Sequence, residues 1–169
     1  KVVDRFKVLV SGKDKAGEFY RKSFTALFAY VSNRIPEITD ELYKIDDAMK
    51  AGFGWEHGPF QIWDAIGVEN GIELMKAEGL EPVAWVNDML VSGSDSFYTV
   101  KDGATYAYAI PTKAQTKIPG QDSFIILDNI RKTNEVFKNS GVVIEDIGDG
   151  ILNLEFQSKM NTIGGDVLA

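Results

Sequence analysis

Apolar residues recur at three- and four-residue spacing through the first ninety positions and at every second position after Gly93, so the chain reads as helices followed by strands. In AGEFYRKSFTALFAYVSNRI, the residues Phe19, Tyr20, Phe24, Leu27, Phe28 and Val31 form one stripe of a helix for which Asp14 is the N-cap. Pro36 lacks an amide donor and interrupts the pattern. The next helix is expected to begin near Thr39 or Asp40, to present Leu42, Ile45, Ala48 and Met49 on one side, and to end at Gly52. Pro59 suits a first helical turn and Gly67 a helix end, which predicts two turns over 59–66. VENGIELMKAEG stops at Gly79, and EPVAWVNDMLVSG opens with Pro82 and closes at Gly93. Short loops between five or six helices are the pattern of a compact α domain.

Beyond Gly93 the residues turn to Tyr, Thr and Val. SFYTVKDGATYAYAIP predicts a hairpin around an Asp-Gly turn, and VVIEDIGDGILNLEF repeats the device around GDG. Between them, SFIILDNIRKTNEVFKNSG fits helix and strand equally. The α part gives way to the β part near residues 92–96, so the fold class is α+β: an all-α helical bundle, then β-hairpins.

With 169 residues, of which 44% are hydrophobic, the chain can bury one real core. A balance of 18 basic and 25 acidic residues gives a net charge of −7, which opposes a phosphate-tracking surface and argues against nucleic-acid binding. The chain contains no cysteine, so disulfides and thiolate chemistry are excluded, a usage that suits the cytoplasm. No apolar run has the roughly 20 residues of a membrane span, and KVVDRFKVLV lacks the features of a signal peptide. The absence of an initial Met and an amphipathic helix starting at GGDVLA read as ends cut from something longer.

The chemistry-bearing residues crowd into AGFGWEHGPFQIWDAIGV, residues 51–68. His57, the only histidine, has no second His or Cys to complete a metal site and sits in a glycine-rich turn before a helix, where a turn or capping role is expected. Gly52–Phe53–Gly54 follows a helix, whereas a dinucleotide loop must follow a strand. It reads instead as a helix corner filled by Phe53, Trp55, Phe60 and Trp63, with the glycines permitting positive φ and close approach. Asp40, Glu41, Asp46 and Asp47 lack the spacing of a calcium loop and read as a solvated helix face. Glu145, Asp146 and Asp149 fall in a hairpin turn and receive the same reading. No segment supplies a nucleophile with a base and an orienting acid, so neither a catalytic residue nor a metal ligand is assigned.

IDDAMKAGFGWEHGPFQIWDAIGVENGIELMKAEG resembles the C-terminal helical domain of 3-hydroxyacyl-CoA dehydrogenases, where the pattern IDxAMxxGxGxxxGPFxxxDxxG recurs. The match takes in Ile45, Asp46, Ala48, Met49, Gly52, Gly54, Gly58, Pro59, Phe60, Asp64 and Gly67. The Trp-rich form, with Trp55 and Trp63, is similar to a large version in which the dehydrogenase is fused to an enoyl-CoA hydratase of the crotonase family. GVVIEDIGDGILNLEFQSKMNTIGGDVLA is similar to the opening of a crotonase domain, a hairpin followed by a Lys-x-Asn loop before the first helix.

The resemblance implies residues 1–92 as the dehydrogenase's C-terminal helical domain, 93–134 as a β-rich connector and 135–169 as a truncated start of the hydratase. It implies fatty-acid β-oxidation, with NAD as cofactor and acyl-CoA as substrate. The partners it implies are Rossmann and crotonase domains of the same parent chain, because the His–Glu pair, the Rossmann loop and the hydratase glutamates all lie outside this sequence. Residues Gly52, Gly54, Trp55, Gly58, Pro59, Phe60, Trp63 and Asp64 become a structural motif anchoring a domain that closes over the acyl-CoA cleft. Lys159 and Met160 become candidates for CoA contact. Asn33–Arg34 resembles a pair used in the family's substrate site, but it falls too close to IDDAM for the role to carry over. The isolated piece is expected to be inactive. The competing reading is a stand-alone helical binding or dimerisation module, with a homodimer through the unpaired strand edges of 142–157 left open.

Overall fold

The computed structural model describes residues 2–168. It separates into two compact units, Lys1–Thr99 with Tyr106–Ile118, and Val100–Thr105 with Pro119–Ala169.

The first unit contains six helices: α1 (Val2–Ser11), α2 (Lys15–Asn33), α3 (Leu42–Phe53), α4 (Pro59–Ile66), α5 (Val68–Ala77) and α6 (Ala84–Val91). Helix α1 went unread in the sequence, although Val2, Phe6, Leu9 and Val10 keep helical spacing and are its less exposed residues. Asp14 caps α2, its carboxylate accepting from the Gly17 amide at 2.9 Å. Gly17 itself abuts the backbone of Gly12, where any Cβ would overlap. Arg21 reaches back from α2 to donate to the carbonyls of Val10 and Gly12, satisfying acceptors at the end of α1. Helix α3 begins at Leu42, later than the expected start near Thr39 or Asp40. It also runs past Gly52 to Phe53, because the left-handed residue that ends it is Gly54, with φ 66°. Helix α4 occupies the predicted span, and Gly67, Gly79 and Gly93 all take positive φ at the loops where the pattern stops.

The core of this unit is a run of rings. Phe28 of α2 stacks on Trp63 of α4 with centroids 4.7 Å apart and planes 8° from parallel. Phe97 meets Trp63 and Phe60 edge-on at 5.1 and 5.0 Å. Phe28, Phe60, Trp63 and Phe97 are completely shielded from water, and each removes on the order of 150–250 Å² of aromatic surface from solvent. Indole Nε1 of Trp63 donates to the Val68 carbonyl at 3.1 Å, so the ring carries no unpaired donor into the core.

Strand β1 (Tyr98–Lys101) turns through Asp102 and Gly103 into β2 (Ala104–Ala109), and β3 (Ala114–Lys117) extends that sheet in the order β1-β2-β3. Asp102 and Gly103 have φ of 50° and 73°, the positive values that a two-residue hairpin turn requires. Strand β3, paired antiparallel to β2 from Tyr106↔Lys117 to Ala109↔Ala114, was not foreseen. Its sequence AQTK lacks β-branched or aromatic residues apart from Thr116, so only the pairing reveals it.

In the second unit, the segment that fitted helix and strand equally is both in succession: α7 (Leu127–Asn134), then β4 (Glu135–Lys138). Strand β4 pairs with β5 (Val142–Gly148), and β5 with β6 (Ile151–Phe156), all antiparallel. Asp149 and Gly150, at φ 54° and 74°, close the second predicted hairpin. Arg131 of α7 holds the unit together electrostatically. Its guanidinium meets Glu145 at 3.1 Å, Glu155 at 2.5 Å and Asp128 at 2.8 Å. Glu145 is fully buried and takes a further bond from the Asn153 side-chain amide at 3.1 Å. It was expected in a solvated turn. Its place opposite Asn153 in the β5–β6 register puts it beneath α7 instead.

Candidate functional site: a buried carboxylate corner and an apolar groove

Gly58 precedes Pro59 at the start of α4, where a helix normally has a Ser, Thr or Asp side chain to accept its first free amides. Glycine has none. The missing acceptor comes from α3: Asp46 takes the Phe60 amide on Oδ1 at 2.9 Å and the Gln61 amide on Oδ2 at 3.0 Å. Gln61 completes the arrangement by accepting the Gly58 amide on its side-chain oxygen at 3.0 Å. A Cβ on residue 58 would overlap both the backbone and the carboxyl group of Asp46. The Gly-Pro pair and the distant aspartate are thus one device. Asp46 is wholly buried, which corrects its reading as part of a solvated acidic face.

Asp64, further along α4 in the same motif, repeats the design toward the strands. Its Oδ1 accepts the Phe97 amide at 2.8 Å and its Oδ2 accepts the Tyr98 amide at 2.9 Å. Tyr98 then reaches over to donate its hydroxyl to Asp46 Oδ2 at 2.9 Å. Burial pushes the Asp46 carboxyl up to about 6, opposed by the Phe60 amide, the Tyr98 hydroxyl and the Gln61 amide. Burial likewise pushes Asp64 up to about 7 against the Phe97 and Tyr98 amides, with the charges of Asp46 and Asp95 adding to the rise. The Tyr98 phenol is raised by burial first and then by the neighbouring carboxylates, so it remains a donor at any ordinary pH.

The residues of the motif do not all gather in this corner. Pro59, Phe60 and Trp63 are buried. Phe53, at 75% exposure, and Trp55, at 37%, are not, so the expectation that four aromatics fill the corner holds for two of them. Gly52 lies inside the last turn of α3 with open space around its Cα, and Gly54 supplies the left-handed stop. His57 stands edge-on to Phe6 with centroids 5.8 Å apart, in a shallow recess of about 250 Å³ shared with Phe24, Trp55, Glu56 and Ile62. Lys159 and Met160 lie far along the chain in a single exposed 3₁₀ turn, where Met160 has φ 58°.

A groove of about 510 Å³ opens between the end of α2, the turn after it and α3. Val31, Ile38, Ile45, Ala48 and Met49 give it apolar walls, and Arg34 and Lys44 stand at it as cations. Arg34 is engaged with Glu37 at 2.6 Å and lies over the Tyr30 ring at 5.6 Å, and Lys44 is engaged with Glu41. Among the described residues, no group of three or more His, Cys, Asp or Glu side chains is placed to hold a metal ion. No helix among them is long and apolar enough to cross a membrane.

Over 165 residues, 97% of this chain and 21% of the relative, the sequence is 34% identical to a probable 3-hydroxyacyl-CoA dehydrogenase of Bacillus subtilis. The chain is homologous to part of a 3-hydroxyacyl-CoA dehydrogenase. A putative fatty acid oxidation complex trifunctional enzyme of Rickettsia prowazekii is 34% identical over 67 residues, 40% of this chain and 9% of that protein. Its counterpart in Rickettsia felis is 37% identical over 46 residues, 27% of this chain and 6% of that protein. No family model and no solved structure matches. The chain spans about a fifth of the length of its Bacillus relative.

Within this dehydrogenase-like segment, the motif's two aspartates prove to be the hydrogen-bond acceptors of the corner, Asp46 fully buried and Asp64 partly so. Two participants escaped the sequence reading. Tyr98 lay in a strand-like run with nothing to mark its hydroxyl, whereas the signal for Gly71 was available. It lies one helical turn after Gly67 on α5, and a Cβ there would overlap the indole of Trp63.

Proposed function

We propose that this chain is a segment of a fatty-acid β-oxidation protein in which an NAD-dependent 3-hydroxyacyl-CoA dehydrogenase is joined to an enoyl-CoA hydratase of the crotonase type. In this reading, residues 1–92 are the dehydrogenase's C-terminal helical domain, 93–134 a connector and 135–169 the opening of the hydratase, all working in the cytoplasm. The match over 97% of the chain to a probable 3-hydroxyacyl-CoA dehydrogenase supports the dehydrogenase part of the reading. The relatives named as trifunctional enzymes support a parent chain with further domains.

The contribution of this segment is positional. Asp46 and Asp64 fix α3, α4 and Phe97–Tyr98 into one rigid corner, and the α2–α3 groove offers apolar walls suited to the aliphatic part of an acyl-CoA. NAD does not fit the residues present. The Gly52–Phe53–Gly54 turn closes α3 at its C-terminal, electronegative end, which repels a pyrophosphate instead of cradling it. Hydride transfer therefore belongs to residues outside this segment, and Lys159 and Met160 are CoA contacts only within a completed hydratase pocket.

The test is to assay NAD reduction with a 3-hydroxyacyl-CoA in two proteins: the complete chain encoded around this segment, and the 169-residue chain itself. Turnover confined to the complete chain supports the reading. Robust turnover by the shorter chain, abolished by His57→Ala, overturns it.

A further inference from the structure

The carboxylate corner takes up Gly58, Pro59, Phe60 and Trp63 of the glycine-rich motif and makes no use of Trp55, Glu56 and His57. These three residues, in the turn between α3 and α4, line a recess with Phe6 of α1 and Phe24 of α2. Its volume of about 250 Å³ has room for a small head group. Pockets for drug-sized ligands begin at roughly 300 Å³.

The walls of the recess are rings. Phe24 and His57 each stand at 77° to Phe6, with centroids 5.9 and 5.8 Å from it, so the three rings meet in two near-right-angled corners. Trp55 lines the same space and keeps 37% of its surface exposed, so part of its indole is open to a ligand. Glu56, exposed at the surface, is the one carboxylate among the described residues that line it. Arg5 and Lys7 flank Phe6 along α1, but neighbours on a helix point to different sides, and neither lines the recess.

The chemistry of this lining selects a class of ligand. Aromatic faces carry the negative lobe of the ring quadrupole, and Glu56 adds a full negative charge in a chain whose net charge is −7. An anion is therefore repelled. A hard metal ion needs six or more oxygen ligands, which one carboxylate does not supply. A quaternary ammonium fits both features, because its alkyl shell is readily desolvated against rings while its charge is drawn to them and to the carboxylate.

We propose that Phe6, Phe24, Trp55, Glu56 and His57 form a binding site for a quaternary ammonium group, carried by a small solute or by a trimethylated lysine of a partner protein. The site shares no residue with the α2–α3 groove, so it stands or falls separately from the acyl-CoA reading.

His57 is the only histidine, and its ring protons report on the recess without overlap in NMR titrations of the 169-residue chain. Choline is the probe for a free solute, and 3,3-dimethyl-1-butanol, its uncharged isostere, is the control. Choline is expected to shift the His57 signals saturably and to bind about tenfold or more tightly than the isostere. Trp55→Ala should weaken choline binding about fivefold or more, and Glu56→Gln about two- to fivefold, the smaller change because an exposed carboxylate is screened by water. Both residues are exposed, so neither change threatens the fold. A short peptide bearing trimethyllysine forms the second arm. Binding tighter than that of choline assigns the site to a partner's side chain, and binding no tighter assigns it to a solute. The absence of a saturable choline shift up to about 0.1 M, an isostere that binds as well as choline, or choline affinity unchanged in both variants would each overturn the proposal.

Discussion

Gly58 lies so close against Asp46 that a methyl group on residue 58 would occupy the space of the aspartate's own carboxyl. A helix-capping side chain and this packing are mutually exclusive, and the fold takes the second, borrowing the cap from α3. Gly58→Ala is therefore expected to destabilise by about 1–3 kcal/mol, the usual range for overpacking, even though alanine is the better helix former. Chemical denaturation reads this out. A variant as stable as the parent would show that α4 can shift without losing its cap.

Asp46→Ala removes an acceptor from the Phe60 and Gln61 amides and the Tyr98 hydroxyl at once. Stranding those donors inside the protein should reduce stability by about 3–5 kcal/mol. Asp46→Asn keeps one carbonyl oxygen and should lose distinctly less. Equal losses for the two variants in urea melts would show that the retained carbonyl oxygen and the side-chain volume contribute nothing, and that the buried donors are held only by the full carboxylate.

Trp63 is wholly buried between Phe28 and Phe97, with its indole N–H bonded to Val68. Truncation to alanine leaves a large void and is expected to destabilise by about 3–5 kcal/mol. Gly71→Ala attacks the same ring from α5, and near-ultraviolet circular dichroism should report the displaced indole. An unchanged spectrum would place the ring elsewhere.

Arg131→Ala leaves Glu145 buried with only the Asn153 amide beside it. A loss of about 3–5 kcal/mol is expected from the uncompensated charge, whereas Glu145→Gln combined with Arg131→Met should recover part of it. The double-mutant cycle by denaturant unfolding checks the coupling, and strictly additive losses would refute it.

The span of α4 was legible in the sequence because Pro59 and Gly67 mark its two ends. The ranges of α3 shifted because Gly52 and Gly54 are equally plausible stops on paper, and only φ distinguishes them. The site was less legible. Asp46 and Asp47 are adjacent acids with the same propensity, yet the first is buried and the second is at the surface. What separates them is the amide end of α4, 14 and 15 residues away. Periodicity places an acid on a helix face but does not say which donors face it. The β3 strand and the burial of Glu145 escaped for the same reason, since both follow from pairing across the chain.

The bond between Tyr98 and Asp46 spans 52 positions and has a practical meaning for anyone shortening this chain. A piece trimmed at residue 92, where the helices stop, would carry Asp46 and Asp64 without the tyrosine hydroxyl and the two strand amides that satisfy them. Its natural C-terminus for expression lies past Ile118, where the first compact unit closes.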